Sequence, residues 1–217
     1  MTNFYRRRLP HYQPAFGEFF ITFRLGNSLP RQLLEKYYHK RRLYNRAYDS
    51  EEYALTNKTK IGKLLFKHFD KQLDNYHNGT DWLKQDRIAE IVANKIHELN
   101  NDKYLLLCYC IMPNHVHLLL KLSESEMQME SPTAESEYPV TTILKLIKGS
   151  TAYAANKALN RTGKFWQHES YDHLVRDNQE RKNIIRYILM NPVKANLVKQ
   201  WKDWKWTYCN KRYVPIR

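Results

Sequence analysis

The sequence predicts an α+β fold, an antiparallel sheet covered by helices on at least one face. Three observations lead there. Strand-like and helix-like segments alternate irregularly along the chain, in the order β-α-α-β-β-α-β-α. The apolar run Tyr104–Met112 is broken by Pro113-Asn114 and followed at once by a second apolar run, as two strands pairing back on each other would be. Two long segments, about 80–99 and 140–160, carry apolar residues at helical spacing.

Taken in order, Gly17-Glu-Phe-Phe-Ile-Thr-Phe-Arg-Leu25 is aromatic and β-branched and reads as the first strand. Residues 31–53 are rich in Arg, Lys and Tyr without an apolar stripe, and residues 1–48 hold ten Lys/Arg against two acids. A helix is expected at about 57–77, with Ile61, Leu64, Leu65, Phe69, Leu73 and Tyr76 on one face. Thr80-Asp81 is a candidate cap for the next helix, which turns Ile88, Ile91, Val92, Ile96 and Leu99 inward. Tyr104–Met112 reads as a strand buried on both faces, and His115–Leu122 as its partner. Residues 123–138 contain five Glu and no Lys or Arg, an acidic loop. A helix at about 140–160 turns Ile143, Leu144 and Ile147 inward and Lys145 and Lys148 outward. A loop and short strand occupy 164–175. Asp177, with Glu180 three residues on, makes a capping box for a last helix expected to end at Pro192. The tail 193–217 is basic and holds Trp201, Trp204, Trp206, Tyr208 and Tyr213. No internal repeat or clear boundary divides the chain. It reads as one domain, 1–217, with a basic N-terminal segment (1–56), an acidic insertion (123–138) and a basic aromatic tail (193–217).

Composition narrows the partners. Thirty-six Lys/Arg against 22 acids give a net charge of +14 and a pI near 9.6, which draws a protein towards polyanions. Sixteen Tyr, eight Phe and five Trp are interleaved with the cations. Rings beside cations suit unstacked bases, although most such rings belong to cores. Three cysteines, Cys108, Cys110 and Cys209, are an odd number, two of them inside an apolar run. They suit a reduced interior rather than a disulfide framework. No secretory signal and no apolar run long enough to span a bilayer are present, so the expectation is a soluble cytoplasmic protein without a membrane partner.

Two short motifs carry chemistry. In a strand, alternate residues share a face, so His115 and His117 project together while Val116, Leu118, Leu120 and Leu122 form the apolar opposite face. Two imidazoles side by side can grip one metal ion, but they need a third donor. On the last helix, Tyr187 and Asn191 are neighbours at i, i+4, away from the cluster of Ile184, Ile185, Ile188 and Leu189. Locally the plainer reading is a surface tyrosine with Asn191 ending the helix before Pro192.

The combination reads differently. Met112-Pro-Asn-His-Val-His-Leu-Leu-Leu120, Phe165-Trp-Gln with Tyr171-Asp-His173, and Tyr187-Ile-Leu-Met-Asn-Pro-Val-Lys-Ala195 occur in one order at similar separations. Together they resemble the single-tyrosine HUH transposases, in particular the REP-associated tyrosine transposases, over most of the chain from about Gly17 to Tyr208. The resemblance implies a ferredoxin-like HUH fold. It implies metal-dependent nicking and joining of single-stranded or hairpin DNA, such as repetitive extragenic palindromes, through a 5′-phosphotyrosine. His115 and His117 match the metal-binding pair, Tyr187 the nucleophile, and Asn191 the place of a third polar ligand. The cation implied is Mg2+ or Mn2+, whereas ligand preference alone favours Zn or other transition ions. Arg6, Arg7, Arg8, Lys145, Lys148 and the Trp-rich tail are candidate DNA contacts. Gln167, Asp172 and His173, with His168 and Glu169, form a polar cluster that could support the site. The segment around 31–60 and the acidic loop depart from the family pattern. Two rival readings stay open: a domesticated protein that binds hairpin DNA without cutting it, and a metallohydrolase using Asp172 or His173 as further ligands. Monomer or homodimer is left open.

Overall fold

The computed structural model describes residues 4–6, 10–37, 39, 66, 69–73, 79–122 and 138–214. The chain divides into two compact units, one formed by residues 1–26 and 82–217, the other by residues 27–81. In the second unit residues 31–37, 66 and 69–73 are helical, and the Tyr37 and Phe69 rings lie 4.7 Å apart. The remainder of the helix expected at 57–77, most of the basic stretch, and the acidic loop through residue 137 lie outside the described residues.

The first unit is built on a five-stranded antiparallel sheet. A short hairpin, β1 (Phe4–Arg6) and β2 (Pro10–Tyr12), precedes it. The sheet strands are β3 (Gly17–Arg24), β4 (Leu105–Ile111), β5 (His115–Leu122), β6 (Tyr171–Leu174) and β7 (Thr207–Cys209), in the order β6-β3-β5-β4-β7. β5 is central because both of its neighbours, β3 and β4, are largely apolar and can be buried on both faces. β7 shows that part of the C-terminal tail is an edge strand of the sheet. Trp206 is 8% exposed in the core, and its indole N–H donates to Asp86 at 2.9 Å. The Trp204 indole donates to the Ile111 carbonyl.

One sheet face carries the main core. Phe19, Ile21, Phe23 and Leu25 of the first sheet strand meet Val116, Leu118, Leu120 and Leu122 of β5. Two helices cover them: α1 (Asp86–Glu98), through Ile88, Val92 and Ile96, and α2 (Pro139–Ala158), through Ile143, Leu144 and Ile147. This matches the periodicity of both segments. The start of α1 falls later than Thr80-Asp81, because a 3-10 turn (Trp82–Lys84) first buries Leu83 and stacks Trp82 on Phe165 at 5.4 Å.

The other face is covered by α3 (Asn178–Lys194), which packs on β4, β5 and β7. Asp177 caps it, accepting from the Glu180 N–H at 2.7 Å. The return half of the box is displaced by one residue, since the Glu180 carboxylate takes the Arg176 N–H (2.9 Å). Asp177→Ala should cost about 1 kcal/mol of stability, measured by urea unfolding. A change within error would show that the cap is not engaged.

The helix does not end at Pro192, as the sequence suggested; it continues to Lys194. Two residues from the end, proline forfeits a single hydrogen bond, and its own carbonyl still serves the cap. Asn196, at φ 56°, terminates the helix instead: its N–H reaches the Val193 carbonyl and the Leu197 N–H reaches the Pro192 carbonyl. Among the described residues no helix is long and apolar enough to cross a membrane.

Candidate active site

The pleat of β5 decides which side chains meet. His115 and His117 project away from the core, under α3, and register places Arg24 opposite His115 and Thr22 opposite His117. On the other side Cys110 is opposite His117. Both imidazoles are fully buried. They are therefore not a partly exposed pair on a solvated face.

The hydrogen bonds define their protonation. Asn114 Oδ1 accepts from His115 Nδ1 at 2.6 Å, which fixes the ring's orientation. Asn191 Nδ2 donates to His117 Nε2 at 3.0 Å, so His117 carries its proton on Nδ1, beside Thr22 Oγ1 at 2.8 Å. The two Nε2 atoms stand 3.0 Å apart. Burial holds both imidazoles neutral: it pushes His115 down to about 3, with the Arg24 charge adding to the effect. His117 is pushed well below the ordinary range by burial, then by His115 and Lys194.

Asn191 is 1% exposed and sits inside α3, not at a solvent-facing helix end. Its Oδ1 is buried and has no hydrogen-bond partner among the described residues. Amide nitrogen and oxygen are distinguished by their hydrogen bonds alone. Turning the amide exchanges a donor for an oxygen ligand beside His117 Nε2. The two 3.0 Å spacings to His117 Nε2, from His115 Nε2 and from Asn191, match the edge of about 3 Å between neighbouring ligands around a cation bonded at about 2.1 Å. The buried pair His115 and His117 could contribute to holding a metal ion, and Asn191 stands beside His117.

Tyr187 lies one turn before Asn191 on the same side of α3. Its ring is half-buried, with its centroid 5.5 Å from that of His117 and 6.0 Å from that of Phe20, edge-on to both. Lys194 Nζ is 4.8 Å from the centre of the same ring. The polar stripe of the helix, Glu180–Tyr187–Asn191, faces the sheet rather than solvent. A phenol, an amide and two imidazoles from elements 70 residues apart in sequence are brought together.

The remaining candidates are placed elsewhere. Asp172 is opposite Ile21, on the core face of the sheet, and lines a cleft of about 530 Å3 under α2 with Lys145, Lys148 and Gln167. It cannot orient the imidazoles or serve beside them as a ligand, because strand alternation turns it the other way. Gln167 joins the sheet edge through its backbone, N–H to the Arg24 carbonyl at 2.8 Å, while its side chain accepts from Lys164. His173 shares the His117 face but is 3.0 Å from the buried Glu180 carboxylate, so it anchors the start of α3. Lys148 is drawn inward to the 167–170 loop, donating to the Gln167 and His168 carbonyls and to Ser170 Oγ (2.6 Å). Lys145 is exposed. Arg6 lies in β1, and Arg7 and Arg8 lie outside the described residues.

Sequence reading missed Thr22, Arg24, Phe20, Asn114 and Lys194. One signal was available: Glu18, Thr22 and Arg24 are polar at alternate positions of an otherwise apolar strand. Thr22→Val keeps the shape but removes the acceptor that fixes the His117 tautomer. It should weaken Mn2+ binding by about 10- to 100-fold, read by calorimetry. An unchanged affinity would remove Thr22 from the site.

No protein-family model matches the chain. A protein of Haemophilus influenzae assigned to the REP-associated tyrosine transposases is 30% identical over 131 residues, covering 57% of this chain and 73% of that protein. The REP-associated tyrosine transposase of Escherichia coli K12 is 23% identical over 116 residues, 53% of this chain and 61% of that protein. A solved structure of a REP-associated tyrosine transposase bound to a REP hairpin gives a TM-score of 0.49 at 17% identity, covering 94% of this chain and 80% of that one.

Proposed function

The chain belongs to the REP-associated tyrosine transposases, and from that premise we propose that it nicks and rejoins single-stranded or hairpin DNA with Tyr187 as nucleophile. The observation that carries this reading is the convergence of His115 Nε2, His117 Nε2 and Asn191 beside the Tyr187 ring. Binding alone requires none of the four.

Tyr187 Oη attacks phosphorus and the bond to the 3′-oxygen breaks. The products are a 5′-phosphotyrosine and a free 3′-hydroxyl, and the phenolic proton ends on that hydroxyl. A phenol ionises at about 10, so the phosphate must be made a good target. A bound divalent ion, taken as Mg2+ or Mn2+, would polarise the scissile phosphate and offset its charge, supplying several kcal/mol. His115, His117 and Asn191 would hold the ion, and Thr22 and Asn114 orient the imidazoles. Phe20 and His117 wall the Tyr187 ring and restrict its swing. A second 3′-hydroxyl attacking the phosphotyrosine reverses the step and joins strands. The covalent link conserves the phosphodiester bond energy, so no nucleotide cofactor is required. The net charge of +14 supplies the attraction to DNA.

The test is incubation with hairpin-bearing single strands and Mn2+ or Mg2+, followed by a denaturing gel and mass mapping. A DNA-linked peptide containing Tyr187 is expected. Cleavage to a free 5′-phosphate without such a species would replace this reading by hydrolysis, and tight binding without cleavage would replace it by a binding protein.

A further inference from the structure

The three cysteines take no part in the reading above. Cys108 and Cys110 stand on β4, and Cys209 on the edge strand β7. Cys108 and Cys209 are directly opposite in the ladder. Its phase follows from the backbone bonds on either side: the Asn210 N–H reaches the Leu107 carbonyl (2.8 Å) and the Ile111 N–H the Trp206 carbonyl (2.9 Å). Bonded pairs alternate with non-bonded ones, so Cys108–Cys209 is a non-hydrogen-bonded pair. At such pairs Cα atoms lie about 4.5 Å apart and side chains lean together. That is within the roughly 4.4–6.8 Å a disulfide spans. The Cys209 thiol donates to the Asn210 carbonyl at 3.7 Å, so its sulfur is held at the ladder position facing Cys108.

We infer that Cys108 and Cys209 are an oxidation site, closing to a disulfide that clasps the C-terminal edge strand onto β4. Cys209 is half-exposed on an edge strand and Cys108 is fully buried, which assigns their roles. Cys209 meets the oxidant, and Cys108 resolves. The neighbouring Cys108 holds the Cys209 thiol below its ordinary ionisation range, while burial pushes Cys108 well above it.

With hydrogen peroxide, the Cys209 sulfur takes one oxygen as the O–O bond breaks, giving a sulfenic acid and water. The Cys108 sulfur then attacks that sulfur, the S–O bond breaks, and the departing hydroxide leaves as a second water with the Cys108 proton. Two thiols and one peroxide become one disulfide and two waters. Cys110 is a built-in control. Its ladder partner is Thr207, whose hydroxyl is 3.5 Å from its sulfur, and Met112 Sδ is 3.6 Å away.

The test treats the full chain with equimolar peroxide, then digests it without reductant. A cross-linked peptide pair joining Cys108 and Cys209 is expected, two mass units below the sum of its reduced parts. Closing a loop of about 100 residues should raise Tm by several degrees, on the order of 5 °C, reversibly with dithiothreitol. Cys209→Ser and Cys108→Ala should each abolish the cross-link and the shift, and Cys110→Ala should leave both. Should Cys108→Ala fail to fold, the half-exposed Cys209→Ser decides alone. A Cys108–Cys110 linkage, only intermolecular disulfides, or a trapped Cys209 sulfenic acid without cross-link would overturn the inference. DNA cleavage is not a readout, so either outcome leaves the proposed function where it stood.

Discussion

Tyr187→Phe is expected to abolish cleavage of a hairpin-bearing single strand, a fall of at least about 10⁴-fold, and to eliminate the covalent protein–DNA species. The substitution deletes one oxygen and little else. The ring is half-buried edge-on to Phe20 and His117, contacts that phenylalanine preserves. Stability should change by less than about 1 kcal/mol, and hairpin affinity by less than twofold, since the cations and surfaces that meet DNA are untouched. The three readouts separate the readings. Lost cleavage with retained affinity and Tm identifies the nucleophile. Retained cleavage would place the attacking group elsewhere and leave Tyr187 a packing residue. Lost affinity as well would make the hydroxyl a DNA contact.

His117→Ala is expected to have the second largest effect. The imidazole is fully buried and sits at the centre of the site: Thr22 Oγ1 lies beside Nδ1, His115 Nε2 and Asn191 Nδ2 beside Nε2. Its removal takes away one of the three ligands proposed above and leaves His115 without the neighbouring imidazole 3.0 Å away. Losing several kcal/mol of electrostatic stabilisation at the phosphate corresponds to a fall in cleavage of about 10³-fold or more. Mn2+ binding should drop at least about 100-fold by calorimetry. The same deletion opens a cavity under α3 and strands buried polar atoms, costing roughly 1–3 kcal/mol of stability. Thermal melting therefore accompanies the assay, and Asn191→Ala, which leaves both imidazoles in place, gives a second reading of metal affinity. Unchanged metal binding in both variants would show that the ion sits elsewhere.

The first sheet strand, the hairpin across Pro113-Asn114, and helices α1 and α2 were legible because each carries an apolar face at its own local period, or, in β4, an unbroken apolar run. Ile88, Val92 and Ile96 repeat at helical spacing, and Val116 to Leu122 alternate at strand spacing. Asp177 was legible as a cap because the bond it makes is local. The edge strand β7 was not. Three residues in a basic, tryptophan-rich tail have too short a period to stand out, and their partners lie about a hundred positions away. Pro192 misled for the opposite reason. A proline near a helix end usually marks the stop, yet here it falls where only one hydrogen bond is lost and Asn196 supplies the left-handed cap.

Sequence by itself determined the constituents: an α+β chain of high positive charge, two histidines on one strand face, and a tyrosine and an asparagine one turn apart on a helix. Their order and spacing sufficed for the family resemblance. Tertiary structure alone decided that the two pairs meet, because the contact between α3 and β5 depends on which sheet face the helix covers, and no local period encodes that. It also decided that Asp172 faces away while Thr22, Asn114 and Lys194 come near, and that two cysteines in distant segments become ladder partners. Alternation along a strand fixes which residues share a side, but only pairing between strands fixes who stands opposite whom.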